Sequence, residues 1–287
     1  MRLSAKQFLS AENWAITLLG MSGVGKTTLA NKLPKEDWFH YSGDYRIGTK
    51  YLEEPILDNI KRQAMQVGFL RDLLRSDSIF IASNITVHNL EPISSFLGKV
   101  GNPVLGGLPL KEFRRRQDLH HEGEVGAMHD CEAFIAKAID IYGYRHFVND
   151  AGGSLCELTD PSVMPALAAN SIIIYIEADA DMERQLIERQ RHSPKPLYYQ
   201  SEFFERELAT YIASNDLRGA DEIVPDDFVQ WIFPRLVEHR RPAYQRITRE
   251  HGYTVAASDI ETVRDQSDFA ALISQTLEQQ SVVVPSG

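Results

Sequence analysis

The chain has little cysteine and no long uninterrupted apolar segment. Its 287 residues include two cysteines, Cys131 and Cys156, which are too few for a disulfide framework and lack the spacing of a metal site. No apolar run approaches the roughly 20 residues that a helix needs to cross a bilayer, and the polar start of the chain is unlike a signal peptide. These absences predict a cytoplasmic protein with no membrane partner.

Positive charge is also scarce. Lysine and arginine together number 30 against 40 acidic residues, which gives a net charge of -10 at pH 7. Because binding to a polynucleotide backbone requires a surplus of lysine and arginine, the composition disfavours a general nucleic-acid partner, although it leaves room for a local basic groove. The hydrophobic content of 43% is sufficient for one large α/β domain, or for one domain with a substantial insertion.

Short apolar segments alternate with longer amphipathic ones, which is typical of βα units around a parallel sheet. Strands are predicted at Trp14–Leu19, Trp38–Tyr41, Ser78–Ala82, His146–Asn149, Ser171–Glu177 and Tyr253–Ala256. Helices are predicted at Lys26–Leu33, Tyr51–Leu74, Cys131–Tyr142, Asp181–Arg191, Ser201–Ser214, Asp226–His251 and Glu261–Gln279.

Between Leu97 and Gly126 the periodicity is lost, because glycine and proline recur there. We therefore predict a single domain over residues 1–287 that carries an enlarged, mostly helical insertion at residues 51–145. Residues 280–287 are predicted to be a flexible tail.

One motif predicts nucleotide binding. The segment Gly20-Met21-Ser22-Gly23-Val24-Gly25-Lys26-Thr27 follows a predicted strand, opens a predicted helix and matches G-x-x-x-x-G-K-[ST], a pattern that arises by chance in roughly one chain of this length in a hundred. Its glycines let backbone N–H groups surround phosphate, its lysine reaches the β- and γ-phosphates, and its threonine hydroxyl binds Mg²⁺. ATP and Mg²⁺ are the predicted cofactors. The predicted nucleotide ligands are Gly20, Ser22, Gly23, Val24, Gly25, Lys26, Thr27 and Thr28.

Other classes of P-loop protein fit less well. A guanine-specifying [NT]-K-x-D segment is missing, since Asn31-Lys32-Leu33-Pro34 ends in the wrong residue, and Asp150-Ala151-Gly152-Gly153 matches only the loose D-x-x-G pattern of a switch. The chain is also short for a large motor ATPase, and its P-loop lies close to the N-terminus, as in small kinases.

Further features follow the P-loop in a characteristic order. Asp44 comes just after the second strand, Asn149–Ser154 carries a Gly-Gly turn after a later strand, Arg189–Tyr198 is a cationic, proline-containing segment, and Arg240–Tyr244 precedes the last strand. In this order the chain resembles the shikimate kinase-like branch of the nucleoside-monophosphate-kinase fold. The resemblance spans the core but skips residues 51–145, so it implies the phosphotransfer apparatus and leaves the substrate open.

The resemblance implies a three-layer α/β P-loop fold with a mainly parallel sheet of five or six strands and a largely helical insertion. It also implies roles for individual residues. Asp44 would position or deprotonate an acceptor hydroxyl, and Asp150 would join Thr27 in holding Mg²⁺. A lid with the candidate catalytic cations Arg189, Arg191 and Lys195 would close over the phosphates. At least one cation of the group Arg184, Arg189, Arg191 and Lys195 is expected to be functional. The candidate substrate ligands are Asp44, Arg46, Gly152, Gly153 and Arg241.

The predicted function is transfer of the γ-phosphate of ATP to a hydroxyl of an unidentified small molecule. Two alternatives stay open. The first is a regulatory or switch ATPase that acts on a protein partner. The second is a polynucleotide or modified-base kinase, which would use the basic run at Lys111 and Arg114–Arg116, although a solvated loop explains that run as well. The oligomeric state is not predicted.

Overall fold

Five parallel strands form one sheet at the centre of the computed structural model, which describes residues 3–281. The strand order is β2-β3-β1-β4-β5. Each of these strands lies within one residue of its predicted position, and the α/β class with a parallel sheet is confirmed. The strands are β1 (Ala15–Leu19), β2 (Trp38–Ser42), β3 (His146–Asp150), β4 (Ile172–Glu177) and β5 (Gly252–Ala256).

Helices follow every strand and account for most of the chain. They are α1 (Ala5–Ser10), α2 (Lys26–Asn31), α3 (Gly43–Arg46), α4 (Glu53–Ala64), α5 (Gly68–Arg75), α6 (Glu91–Leu97), α7 (Leu110–Asp140), α8 (Val163–Asn170), α9 (Ala180–His192), α10 (Ser201–Ser214), α11 (Pro225–His251), α12 (Ala257–Thr262) and α13 (Gln266–Ser281). A π-helical turn (Ile47–Tyr51) joins α3 to α4, and short 3₁₀ turns lie at Pro103–Leu105, Leu155–Glu157 and Ala220–Glu222.

The sheet is covered on both faces, which produces three layers. On one face Tyr175 of β4 stacks on Tyr244 of α11, with ring centroids 4.7 Å apart. On the other face Trp38 of β2 meets Phe269 of α13 edge to face at 5.7 Å. This double coverage explains why Ile172–Ile176 is buried and apolar without alternation.

Parallel pairing brings the loops that carry the predicted site residues to one edge of the sheet. Ser42 of β2 and Leu18 of β1 both pair with Asp150 of β3. Because the carboxyl ends of parallel strands share an edge, the segments that follow β1, β2 and β3 emerge side by side.

Two parts of the predicted insertion were assigned incorrectly. Ser78–Ala82 is not a strand: it never reaches the sheet, and the side chain of Phe80 is 87% exposed. Residues 110–126 are helical as part of α7, although they contain Gly123 and Gly126. The glycines belong to a packing contact, since a Cβ at Gly126 would lie 2.5 Å from the ring of Tyr51. Tertiary packing thus overrides the low helix propensity of glycine.

Other differences from the sequence prediction are smaller. The predicted helix Tyr51–Leu74 is divided into α4 and α5, and Arg240–Tyr244 lies inside α11 rather than in a turn. Both cysteines are buried and free. Across residues 3–281, no helix is both long and apolar enough to span a bilayer. Most of the predicted tail lies outside the described residues.

A buried ion pair ties α11 to the segment after β3. Nη2 of Arg240 donates to Oε2 of Glu157 at 2.5 Å and to the carbonyl oxygen of Tyr198 at 2.9 Å. One turn further along α11, the hydroxyl of Tyr244 donates to the carbonyl oxygen of Gly153 at 2.5 Å. Removing one partner of such a pair leaves an uncompensated charge in the interior.

Glu157→Gln is therefore expected to lower the free energy of unfolding by about 3 kcal/mol or more. The matched control is Glu205→Gln, which breaks the exposed pair between Glu205 and Arg114 (2.6 Å) and should cost less than about 1 kcal/mol. Chemical denaturation of both variants measures the difference. An equal loss of unfolding free energy in the two variants would mean that the Arg240–Glu157 pair is as well hydrated as a surface pair.

Candidate functional site

The glycine-rich loop has a backbone that only glycine adopts easily. It connects β1 to α2, and the φ angles of Gly20, Gly23 and Gly25 are 144°, 91° and 101°. These values lie in the region that side chains with a Cβ rarely occupy. A Cβ at Gly20 would also lie 2.8 Å from the carbonyl oxygen of Ile176. The loop therefore needs its glycines for conformation and for close packing.

Lys26 extends its side chain back along this loop. Its Nζ donates to the carbonyl oxygens of Gly20 at 2.7 Å and Met21 at 3.1 Å. Burial lowers the pKa of Lys26, while the charges of Asp150 and Asp44 oppose that shift. The amine thus lies in a position from which it can neutralise a phosphate held by the loop.

Thr27 and Asp150 form a pair at the start of α2. The Thr27 hydroxyl donates to Oδ2 of Asp150 at 2.5 Å, and Nε2 of His40 lies 3.6 Å from the same oxygen. Burial opposes ionisation of Asp150, but His40, Lys26 and Thr27 together hold its pKa below the ordinary value. The carboxylate is therefore charged at neutral pH.

A hydroxyl beside one carboxylate suits Mg²⁺, which keeps several waters and takes its other ligands from substrate phosphates. Thr27 and Asp150 are the residues that could hold such an ion. Within residues 3–281 there is no cluster of three or more His, Cys, Asp or Glu side chains that would hold a metal without a substrate.

Asp44 lies in the first turn of α3, directly after β2. The hydroxyl of Ser42 caps this turn by accepting from the backbone N–H of Tyr45 at 3.3 Å. Burial and the charge of Asp150 raise the pKa of Asp44 to about 6, against the opposing effect of Lys26. The group is therefore mostly ionised at neutral pH but holds a proton more readily than an exposed aspartate.

The Gly-Gly turn after β3 packs between the loop and two carboxyl groups. A Cβ at Gly153 would lie 2.9 Å from the backbone nitrogen of Ser22. A Cβ at Gly152 would lie 2.5 Å from Oε1 of Glu124 and 3.2 Å from Oδ1 of Asp44. The turn thus brings Asp44, Glu124 and the glycine-rich loop together.

Glu124 is the site residue that sequence reasoning missed. It lies on α7 with a side chain that is 0% exposed, and the hydroxyl of Ser154 donates to its Oε2 at 2.6 Å. Its Oε1 has no hydrogen-bond partner in the described part of the chain. Burial raises the pKa of Glu124 to about 8; Ser154 opposes this shift and the charge of Asp44 adds to it.

No sequence signal marked Glu124, because the predicted helix began only at Cys131. Had residues 110–126 been recognised as helical, Glu124 would have fallen four residues after His120, on the same helix face. Both side chains are buried on the inner side of α7.

Two cavities meet at the glycine-rich loop. The larger one, here called the large cleft, has a volume of about 830 Å³. The smaller one, here called the small pocket, has a volume of about 310 Å³. The large cleft is lined in part by Ser22, Asp44, Leu90, His120, Lys195 and Phe233. The small pocket is lined in part by Val24, Thr28, Met182, Gln185, Ile260 and Glu261. Gly23 and Arg189 line both cavities.

The three predicted lid cations occupy different positions. A Cβ at Gly23 would lie 3.5 Å from Nη1 of Arg189, so this guanidinium lies over the loop. Lys195 lines the large cleft, and its backbone exchanges two 3.1 Å hydrogen bonds with the side-chain amide of Gln190. Arg191 lies outside both cavities and pairs with Glu188 at 3.4 Å.

Four of the five predicted substrate ligands, Arg46, Gly152, Gly153 and Arg241, do not line either cavity. The two arginines among them are paired with acids. Arg46 donates to Oδ2 of Asp130 at 2.8 Å, and Arg241 donates to both oxygens of Glu183 at 2.6 and 2.7 Å. Their acidic partners lie far away in the sequence, so these ion pairs were not visible in the local pattern.

The basic run on α7 is also paired with acids. Arg114 makes two hydrogen bonds to Glu205, at 2.6 and 2.7 Å. Arg115 and Arg116 each donate to Glu112 at 2.8 Å. Because the three arginines share two glutamates, the net positive charge of this run is reduced.

Comparison with known proteins finds distant similarity among solved structures. A scan against models of protein families finds no match, and a search of curated proteins finds no significant match. Among solved structures, a shikimate kinase from Bacteroides thetaiotaomicron is similar over 94% of this chain and 97% of its own, with 14% sequence identity and a TM-score of 0.40. A similarity at this level carries no conclusion about substrate or reaction.

Glu124→Gln is expected to change how stability depends on pH. The folded-state pKa of Glu124, about 8, lies above the 4.5 of an exposed glutamic acid. The stability that this group contributes is therefore complete below about pH 4.5 and is lost as the pH rises through about 8. Between about pH 5 and pH 8.5, the wild-type protein should lose at least about 1 kcal/mol relative to Glu124→Gln, the equivalent of one pKa unit.

Denaturation curves across this pH range provide the measurement. Glu132→Gln, which changes an exposed glutamate on the same helix, serves as the control and should follow the wild-type protein at every pH. A constant difference between wild type and Glu124→Gln would show that Glu124 is ionised in the folded state at neutral pH.

Proposed function

We propose that this protein is an ATP-dependent phosphotransferase that phosphorylates a hydroxyl group of a small molecule. The observation that supports this most directly is that the glycine-rich loop and Asp44 face the same large cleft, while the small pocket adjoins the other side of the loop. Two cavities that share the phosphate-binding segment suit a donor and an acceptor. ATP as the donor also fits the cytoplasmic location predicted from the sequence.

In this proposal the nucleotide lies across the glycine-rich loop. Backbone N–H groups between Gly20 and Thr28 would bind its phosphates, and Lys26 would neutralise charge on the β- and γ-phosphates. The small pocket would receive the nucleoside, with Met182 and Ile260 as its apolar contacts. Thr27 and Asp150 would hold Mg²⁺, which supplies further charge neutralisation on the phosphate oxygens.

Asp44 would act on the acceptor. It would accept the proton of the acceptor hydroxyl while the hydroxyl oxygen forms a bond to the γ-phosphorus. The bond between that phosphorus and the β–γ bridging oxygen breaks, and ADP leaves with the electron pair. A pKa of about 6 suits this role, since the group is ionised before the reaction and can hold the proton afterwards.

Arg189 is the lid cation best placed to act on the transferred group, because it lies over Gly23 and lines both cavities. Lys195 would add a second cation from the cleft side, held in place by Gln190. Positioning and charge neutralisation of this kind account for most catalysis of phosphoryl transfer. Helix α6 of the insertion supplies the cleft wall where the acceptor would bind.

A switch ATPase that acts on a protein is the second candidate. It is favoured by exposed apolar residues of the insertion, where Phe69 is 73% exposed and α5 has no buried residue. The pairing of Arg114, Arg115 and Arg116 with glutamates argues against the polynucleotide kinase. The metabolite kinase would transfer phosphate to a small molecule, whereas the switch ATPase would release it by hydrolysis.

The test is incubation with γ-labelled ATP and a cell metabolite extract. Wild-type protein should place label on a discrete small molecule, and Lys26→Ala should abolish this because it removes a phosphate contact. Asp44→Asn should bind ATP normally and transfer label at least about 100-fold more slowly, because it removes the base.

Asp72→Asn is the matched control, since Asp72 is exposed on α5, and it should behave as wild type. Release of inorganic phosphate alone by the wild-type protein would contradict the kinase and favour the switch ATPase. Unchanged transfer by Asp44→Asn would remove Asp44 from the mechanism.

Arg189→Ala and Arg191→Ala form a second matched pair on α9. Loss of Arg189 should lower kcat/KM for ATP at least about tenfold, because a charge over the transferred phosphate is lost. Loss of Arg191 should change it less than about twofold, since its partner is a surface glutamate. Steady-state kinetics at varied ATP concentration measures both. The reverse ranking would place the functional cation at Arg191.

A further inference from the structure

The charges around the large cleft restrict the acceptor that it can bind. Its volume of about 830 Å³ lies within the range of small-molecule sites. Among the described residues that line it, Arg189 and Lys195 are the only arginine or lysine side chains. Both belong to the segment that, in the proposed function, neutralises the transferred phosphate. The histidines His88 and His192 lie at the exposed rim.

Other arginines near the sheet edge are already paired. Each donates to a carboxylate oxygen at 2.8 Å or less. The pairs are Arg46–Asp130, Arg116–Glu112, Arg240–Glu157 and Arg241–Glu183. A cation that serves a buried or partly buried carboxylate is not free for an acceptor, because moving it would leave that carboxylate uncompensated.

Apart from Arg189, Lys195 and the two rim histidines, the side chains that line the cleft are acidic or uncharged. Asp44 and Glu91 contribute carboxyl groups to it, and Leu90, Ile93 and Leu97 contribute an apolar surface on and next to α6. Apart from neutral donors such as Asn89 and Ser94, a phosphate or carboxylate on the acceptor would meet like charge and apolar groups there.

His120 adds a directional contact without a charge. It is 5% exposed, stacks on Tyr198 with centroids 5.3 Å apart, and lines the cleft. Burial and the neighbouring Arg240 lower its pKa to about 4, so the ring is neutral at physiological pH. Its Nδ1 has no hydrogen-bond partner in the described part of the chain. A buried polar atom of this kind is satisfied by a ligand group or by water.

We propose that the acceptor is an uncharged alcohol with an apolar face. Its reacting hydroxyl lies at Asp44, and its body contacts His120 and the apolar surface formed by Leu90, Ile93 and Leu97. The inference rests on the proposed function and adds the substrate class to it. This class excludes anionic metabolites, including carboxylated and already phosphorylated alcohols, because the neighbouring arginines are already paired with carboxylates.

Fractionation of the extract tests the substrate class directly. Metabolites are separated at neutral pH into those that bind an anion exchanger, those that bind a cation exchanger and those that pass through both. Each fraction is then incubated with γ-labelled ATP and the wild-type protein. Labelled product should form from the neutral fraction. Product confined to a charged fraction would contradict the uncharged acceptor but would still support the phosphotransferase function. No product from any fraction would contradict both proposals.

A variant pair tests the apolar contact. Leu90→Asp places a charge on the half-buried wall and should lower product formation from the neutral fraction at least about tenfold. The ATP concentration for half-maximal rate should stay within about twofold, which also shows that the protein is folded. Leu105→Asp, at an exposed leucine outside the cleft, is the control. Equal product formation by Leu90→Asp and the control would contradict a role for this wall in acceptor binding.

Discussion

The arrangement of this site depends on an imbalance between buried acids and buried cations. Four carboxyl groups, Asp44, Glu124, Asp150 and Glu157, lie close enough to influence one another through Lys26 and Arg240. Two cations cannot compensate four negative charges in a region that water hardly reaches. Ionisation is therefore distributed unequally: Asp150 keeps its charge, Glu124 has a pKa of about 8, and Asp44 lies between them at about 6.

This distribution follows from which partner each carboxyl group contacts. Asp150 has the Thr27 hydroxyl and His40 beside it, whereas the side-chain hydrogen bond to Glu124 among the described contacts comes from Ser154, with a weaker effect of the Arg240 charge. Asp44 depends on the through-space effect of Lys26, which must also act on Asp150. Three carboxyl groups within one cluster thus acquire three different proton affinities, and in the proposed function the intermediate one is suited to exchange a proton.

The same cluster links distant parts of the chain. Through Glu157 and Tyr198, Arg240 connects α11 to the turn after β3 and to the segment that follows the predicted lid. These contacts join residues 83 and 42 positions apart in sequence. The geometry of the glycine-rich loop, which touches Gly153 of that turn, therefore depends on packing far from the motif itself.

The strands and the glycine-rich loop can be predicted from the sequence because their patterns are local. Every strand of the sheet was placed within one residue, because strands covered on both faces are short apolar runs with polar boundaries. The glycine-rich loop was equally visible, since its residues are contiguous. The local pattern is misleading where a long-range contact requires a residue of low helix propensity, as at Gly126 in α7, where the Tyr51 ring occupies the space that a side chain would need. The ion pair of Arg46 with Asp130, 84 residues away, was hidden for the same reason.

The position of the lid cations can be understood from the same charge balance. A cation in the interior of this cluster would pair permanently with one of the excess carboxyl groups, as Arg240 does with Glu157. Arg189 and Lys195 are instead exposed on the opposite wall, where the only side-chain hydrogen bond from the Arg189 guanidinium among the described contacts is a 3.4 Å bond to the carbonyl oxygen of Gln185. In the proposed function they would stay hydrated until a phosphate group approaches, and dehydration would then strengthen their attraction to it. In the proposed function, separating the free cations from the buried acids would allow one site to hold surplus carboxylates and still receive a polyanionic nucleotide.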